Sequence, residues 1–267
     1  MYIIGERING MFNDVKGAIL NKDGSVVHDL AKRQVAAGAD ALDVNVGPAS
    51  SDAEGALMWL VEEIRKVSDA PLCIDTAKWS VMSSVIPKVP GARIINSSKA
   101  DPEELEQYMG LAVENDAALV TLTIDKQGVP SDVDRRVEMG ALILTTAEAA
   151  GLPADRLFID TIILPVNVAP QQPLSVLSAM QQIQMLADPM PHLLLGLSNV
   201  SQNCNERSLL NRTYLAMAIA CGLDSAIMDP LDTELVDAAI TAEMMMGKSI
   251  YCDSFLTAER KRKQLSS

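Results

Sequence analysis

The residues with the most chemical promise stand together in the stretch His192-Leu193-Leu194-Leu195-Gly196-Leu197-Ser198-Asn199-Val200-Ser201-Gln202-Asn203-Cys204-Asn205-Glu206-Arg207. A short apolar run stops abruptly in Ser198, Asn199, Ser201, Gln202, Asn203 and Asn205. Loops are ordinarily punctuated by Gly, Pro and Asp, whereas these side chains offer neutral donors and acceptors with little charge. A strand that feeds such a set into a pocket suits a flat, uncharged heterocycle. A local reading competes: Ser201, Asn203 or Asn205 could instead cap the helix that follows. Spacing alone leaves both open.

The elements that would carry this stretch repeat along the chain. Short Val/Ile/Leu-rich runs cover 2–8, 41–46, 72–76, 93–97, 119–124, 157–162, 193–198 and 226–229, and amphipathic stretches cover 26–39, 53–67, 80–89, 102–115, 133–150, 174–186, 207–221 and 234–246. Near-continuous apolar strands alternating with helices make parallel crossovers, and eight such units predict a closed (β/α)8 TIM barrel. No linker or low-complexity segment divides the 267 residues, so one barrel domain over 1–267 is expected. The helix from Arg207 places Leu210, Thr213, Tyr214, Met217, Ala218 and Cys221 on one expected core face, with Gly222 as its stop. Gly38, Gly151 and Gly247 follow three other helices, and Asp101-Pro102 opens a fourth. The basic tail Arg260-Lys261-Arg262-Lys263 reads as a solvated helix end.

In a barrel of this kind chemistry sits where strands end and helices begin. Those positions hold Glu6-Arg7-Ile8-Asn9, Asp43 and Asn45, Asp75-Thr76, Asn96-Ser97-Ser98, Thr121, Thr123 and Asp125, Asp160-Thr161, Ser198-Asn199, and Asp229. Singly, each Asp is a cap or a turn. Together, Asp75, Asp125, Asp160 and Asp229 can hold the amino and ring N–H groups of a heterocycle by charge-assisted hydrogen bonds. No Gly-rich loop follows the seventh or eighth strand, which disfavours a phosphosugar. Lys78, Lys99 and Lys126 lie inside loops, poorly placed for a Schiff base. The mixture of Asp with Asn is more amide-rich than a magnesium cage.

Composition narrows the classes further. A net charge of −13 argues against a nucleic-acid partner, whose phosphates require Lys and Arg. No charge-free run is long enough to span a bilayer, and Tyr2-Ile3-Ile4-Gly5-Glu6-Arg7 lacks the parts of a signal peptide, so a soluble cytoplasmic protein is expected. Cys73, Cys204, Cys221 and Cys252 are widely spaced, with His28 and His192 the two imidazoles; no zinc-site spacing is present.

With these residues in place, Gly5-Glu6-Arg7-Ile8-Asn9, Leu42-Asp43-Val44-Asn45-Val46-Gly47, Ile74-Asp75, Ile95-Asn96-Ser97 and Gly196-Leu197-Ser198-Asn199-Val200-Ser201-Gln202-Asn203 resemble the pterin-binding barrels. The chain is most similar to the methyltetrahydrofolate:corrinoid protein methyltransferases, from the first strand to Tyr251-Cys252-Asp253-Ser254. The resemblance implies a barrel paired as a homodimer, with tetrahydrofolate or methyltetrahydrofolate as substrate and a corrinoid (cobalamin) supplied by a partner protein. The chain would hold no metal of its own. It further implies that Asp75, Asn96 and Asp160 bind the pyrimidine ring, that Asn199 assists charge at N5, and that Gly196, Ser198 and Gln202 complete the pocket. Arg207 is the one well-placed cation, fewer than the diphosphate pocket of a dihydropteroate synthase needs, and the zinc-dependent methyltransferases are set apart by their Cys/His cluster. A non-catalytic folate-binding module and a dihydropteroate synthase-like enzyme are the alternatives. The direction of methyl transfer is left open.

Overall fold

Residues 1–266 are described by the computed structural model. Eight parallel strands close into a barrel in chain order. They are β1 (Tyr2–Asn9), β2 (Ala41–Asn45), β3 (Leu72–Asp75), β4 (Arg93–Lys99), β5 (Ala118–Leu122), β6 (Leu157–Asp160), β7 (His192–Gly196) and β8 (Ser225–Met228). Between and after them run α1 (Asn13–Asn21), α2 (Gly24–Ala36), α3 (Ala53–Arg65), α4 (Trp79–Val85), α5 (Pro102–Glu114), α6 (Val133–Ala150), α7 (Gln172–Ile183), α8 (Arg207–Ala220), α9 (Thr233–Met245) and α10 (Phe255–Ser266). No helix among the described residues is long and apolar enough to cross a membrane.

Two apolar layers hold the barrel. The larger packs helices onto the outer strand faces, with Leu42, Val44, Leu60, Ile64, Ile95, Leu119, Ile159, Leu193 and Leu215 among its fully buried members. The smaller fills the lumen with Ile4, Ala41, Cys73, Ile94, Val120, Phe158 and Leu194. Burial on both faces is why the strands carry continuous apolar runs. Helix starts are fixed by aspartates: Asp23, Asp52, Asp101, Asp132 and Asp232 accept backbone N–H bonds at the heads of α2, α3, α5, α6 and α9. Such a cap contributes about 1 kcal/mol. The four glycines read as helix stops, at 38, 151, 222 and 247, all adopt positive φ.

The differences from the expected elements have local causes. The first crossover contains the additional helix α1, only nine residues long, which buries Val15, Ala18 and Ile19. The fourth helix ends at Val85, because Pro87 follows within a 3-10 turn. In α8 the buried face is Asn211, Tyr214, Leu215, Ala218 and Ile219, so the stripe is rotated from the expected one. Thr213 is exposed and Met217 is 40% exposed. The basic tail is not simply a solvated end, since Lys263 reaches the carbonyls of Met1 and Gly38 and the carboxylate of Asp40, while Arg260 pairs with Asp237.

Candidate active site at the barrel mouth

Strand side chains alternate between faces, so each residue two positions beyond a lumen residue also points inward. From Ala41, Cys73, Ile94, Phe158 and Leu194 this step leads to Asp43, Asp75, Asn96, Asp160 and Gly196. The apolar plug is therefore overlaid, at the C-terminal mouth, by carboxylates and an amide. Glu6 joins them from β1 by the same step, two positions beyond lumen residue Ile4, where the pairing with β2 shifts register between Gly5 and Ile8. That irregularity is anchored by buried Gln34, whose Oε1 accepts the Arg7 N–H at 3.0 Å. Gly5 permits the approach, because a Cβ there would lie 2.5 Å from the same oxygen.

The mouth residues are bonded to one another in a defined pattern. Asn96 Nδ2 donates to Asp43 Oδ1 at 3.1 Å, which leaves the Asn96 carbonyl oxygen as an acceptor. Asn45 Nδ2 donates to Asp75 Oδ2 at 2.5 Å. Asp160 accepts the N–H of Ile162 on one oxygen (2.7 Å) and that of Gly196 on the other (3.2 Å). The Ser198 hydroxyl donates to Glu6 Oε1 at 2.7 Å. Burial raises every one of these carboxyls. Asp160 moves to about 6 against its two backbone donors, and Glu6 to about 7 against the Ser198 bond. Asp75 is raised by burial, and Asp43 is raised by burial and then by the charge of Asp75.

The seventh loop is a 3-10 turn, Leu197–Ser201, laid across this ring. Arg207 fastens it: its Nε donates to Ser201 Oγ at 3.2 Å and its terminal nitrogen to Ser198 O at 3.4 Å. Gly196 gives Asn199 close approach, since a Cβ would sit 3.0 Å from Asn199 Nδ2 and 3.8 Å from Asp160 Oδ2. The Asn199 amide and the Asp160 carboxylate thus border the same spot. Asn199 is exposed. None of Ser201, Asn203 and Asn205 caps α8, whose first turn is preceded by Glu206 at φ 52 with no side-chain bond. Ser201 is buried against Arg207, and the Asn203 carbonyl accepts from Asn167, so the residues of the motif that line a hollow are Ser198, Asn199 and Gln202.

Two hollows flank the ring. One of about 380 Å³ includes Asp75, Thr76, Trp79, Ser97, Lys99 and Tyr108. The other, about 550 Å³, includes Glu6, Phe12, Ser198, Asn199, Gln202 and Arg207. Asn96 and Asp160 are buried between, 8% and 7% exposed. Asp125 is not part of this set: it lies beyond β5, accepts the Gln127 N–H and pairs with Arg135. Asp229 takes the Leu231 N–H in a turn while lining the second hollow. Lys126 is paired with Asp101. Glu6, Asp43 and Asn45, noted at strand ends without a role, belong to the bonded ring. Among the described residues no three His, Cys, Asp or Glu side chains gather as a metal-binding group.

The chain is similar to known proteins. The chain is 28% identical over 265 residues to the methylcorrinoid:tetrahydrofolate methyltransferase of Eubacterium limosum, covering 98% of this chain and 97% of that one. It is 28% identical over 239 residues to the methionine synthase of Mycobacterium leprae, spanning 85% of this chain and one fifth (20%) of the synthase. Among solved structures, a dihydropteroate synthase of Coxiella burnetii in complex with pteroic acid superposes with a TM-score of 0.69 at 14% identity, over 93% of this chain and 94% of that one. The dihydropteroate synthase of Thermus thermophilus superposes at 0.66 and 18%, over 94% of each chain. At those identities the likeness is one of fold. The pterin-binding enzyme family model matches residues 12–229, the span from the first loop to the end of the eighth strand, and the chain belongs to that family.

Proposed function

We propose that this chain is a methyltransferase acting at N5 of tetrahydrofolate, exchanging the methyl group with the cobalt of a corrinoid carried by a separate protein. The observation that carries the reading is the acceptor ring itself. Asp75, Asp160 and the Asn96 carbonyl present oxygens to one mouth, and a 2-amino-4-oxopyrimidine brings the complementary N–H donors. Asn199 then stands by N5. An amide there stabilises the charge that develops on nitrogen without competing as a base. Gly196 leaves room for both the amide and the ring, Ser198 and Gln202 line the wall, and Arg207 holds the loop in register. The cobalt supplies the methyl acceptor or donor, and the chain supplies binding and electrostatics. The Eubacterium limosum relative, similar over nearly its whole length, supports methyl transfer toward tetrahydrofolate as the working direction.

A dihydropteroate synthase role is disfavoured by charge, because the hollow beside Asn199 sets Glu6, Asp229 and Asp232 around Arg207, a poor cradle for a diphosphate. A homodimer is part of the proposal. It is supported by the exposed apolar side chains of Leu174, Met185, Leu186 and Leu209 on α7, just beyond it and on α8, and light scattering would measure it. The activity is tested by following cobalt absorbance when the protein is mixed with Co(I) corrinoid and methyltetrahydrofolate, and with methylcorrinoid and tetrahydrofolate. Turnover is expected. Folded protein that binds folate and transfers no methyl in either direction would reduce the chain to a folate-binding module.

A further inference from the structure

Methyl transfer to N5 leaves a proton to be placed. When the N5 lone pair forms the new N–CH₃ bond, the pair of the broken Co–C bond remains on cobalt, and N5 becomes an ammonium still bearing its hydrogen. Neutral methyltetrahydrofolate forms only when that proton leaves. Asn199 has no site to hold it, since an amide is neither a useful acid nor a useful base near neutral pH.

We propose that Glu6 holds the proton exchanged with N5, receiving it through the Ser198 hydroxyl and passing it to solvent at the open hollow. This rests on the methyl-transfer reading above. Three observations single out Glu6. Its carboxylate accepts the hydroxyl of the residue directly before Asn199, at 2.7 Å, so a proton given to Ser198 Oγ has a bonded acceptor waiting. The hollow it lines also holds Asn199. The other carboxyls of the mouth are engaged elsewhere: both Asp160 oxygens take backbone N–H groups, Asp43 is buried beneath Asn96, Asp75 is held by Asn45, and Asp229 takes the Leu231 N–H.

The surroundings favour a proton that comes and goes. Asp229 faces Glu6 from the loop after β8, Arg207 from the start of α8, Arg7 from its own strand, and Asp43 from β2. Arg207 is itself tied to Ser201 and the Ser198 carbonyl, and Arg7 to Asp14, so neither forms an ion pair with Glu6 among the described residues. Burial then dominates and brings the carboxyl to about 7. Glu6 points to the mouth two positions beyond lumen residue Ile4, and the Gln34 anchor beneath Gly5 and Arg7 holds the strand on either side of it.

The test uses the whole chain with carboxyl-¹³C glutamate and, in parallel, single-turnover methylation of saturating tetrahydrofolate across pH. One glutamate should titrate near pH 7 in the parent and be missing in Glu6→Gln. The parent rate should rise through the same pH. In Glu6→Gln that inflection should vanish and the rate fall by roughly 10²-fold, with folate affinity within about threefold of the parent on the reading that a proton acceptor contributes little to ground-state binding. Ser198→Ala should lower the rate while the Glu6 titration persists. Glu6 titrating in the ordinary carboxylate range, an inflection that survives in Glu6→Gln, or a loss confined to affinity each overturns the proposal. A parent that methylates nothing overturns the methyl-transfer reading together with it, whereas an active parent with an unchanged profile overturns the role of Glu6 alone.

Discussion

The two ends of the barrel treat charge in opposite ways. At the N-terminal end charges are paired: Lys263 meets Asp40 at 2.9 Å, His192 meets Asp224 at 2.8 Å, the Met1 ammonium meets Glu243 at 2.5 Å, and Arg156 meets Asp116. Asp40 also accepts the Ile3 N–H at 2.7 Å, tying the first strand to its neighbour. At the C-terminal mouth Glu6, Asp43, Asp75 and Asp160 form no ion pair among the described residues, and burial pushes all four upward. Crowding uncompensated carboxyls costs stability. On the proposed reading the contrast divides the barrel into one end that holds the fold and another that receives a ligand rich in N–H donors, the division expected of a barrel enzyme.

The sharpest way to strain this contrast is at Asn199. If its amide stabilises charge at N5, Asn199→Ala should cut the saturated single-turnover rate by roughly 10²-fold or more while folate affinity falls far less; a rate within about twofold of the parent would remove the assignment. At the opposite end, Lys263→Ala should cost about 1.5 to 3 kcal/mol, the worth of hydrogen bonds to a charged group, and lower Tm with folate affinity unchanged. An affinity loss in that variant would blur the division between the ends. The smallest effect concerns pH. Because the fold raises Glu6 from 4.5 to about 7, the native state binds more protons than the unfolded chain in that window. Stability from this group is therefore fully present below 4.5 and lost as pH rises through 7. Between those limits Glu6→Gln should gain steadily on the parent in Tm, by roughly 2–4 °C for each kcal/mol of this loss in a chain of this size. A difference in Tm that does not change with pH would contradict the raised carboxyl.

The barrel was legible because strands buried on both faces write unbroken apolar runs, and because Asp101-Pro102, Gly151 and Gly222 mark helix ends by backbone geometry. Asp75, Asn96, Asp160 and Asn199 were legible as strand-end polar residues. Glu6 and Asp43 were harder to weigh. Both lie within their strands rather than at the ends, and only the closed barrel shows that Ile4 and Ala41, two positions before them, face the lumen. Asp125 was misplaced because nothing local shows that its loop turns toward Arg135, ten residues on. The rotation of the α8 stripe reflects Met217, apolar yet outward, and Asn211, polar yet buried. Arg207 reads in sequence as a lone cation for a ligand, and only the folded loop reveals its bonds to Ser201 and Ser198.

The central claim is that the mouth carboxyls exist to bind a pterin, and calorimetric titration of tetrahydrofolate into Asp75→Asn and Asp160→Asn tests it most directly. Each substitution should weaken binding by roughly 1.5 to 3 kcal/mol, the contribution of a hydrogen bond to a charged group, with Tm held or raised in Asp75→Asn because a buried charge has been removed. Unchanged affinity in both variants, accompanied by a fall in Tm, would instead make these residues structural turns and contradict the account.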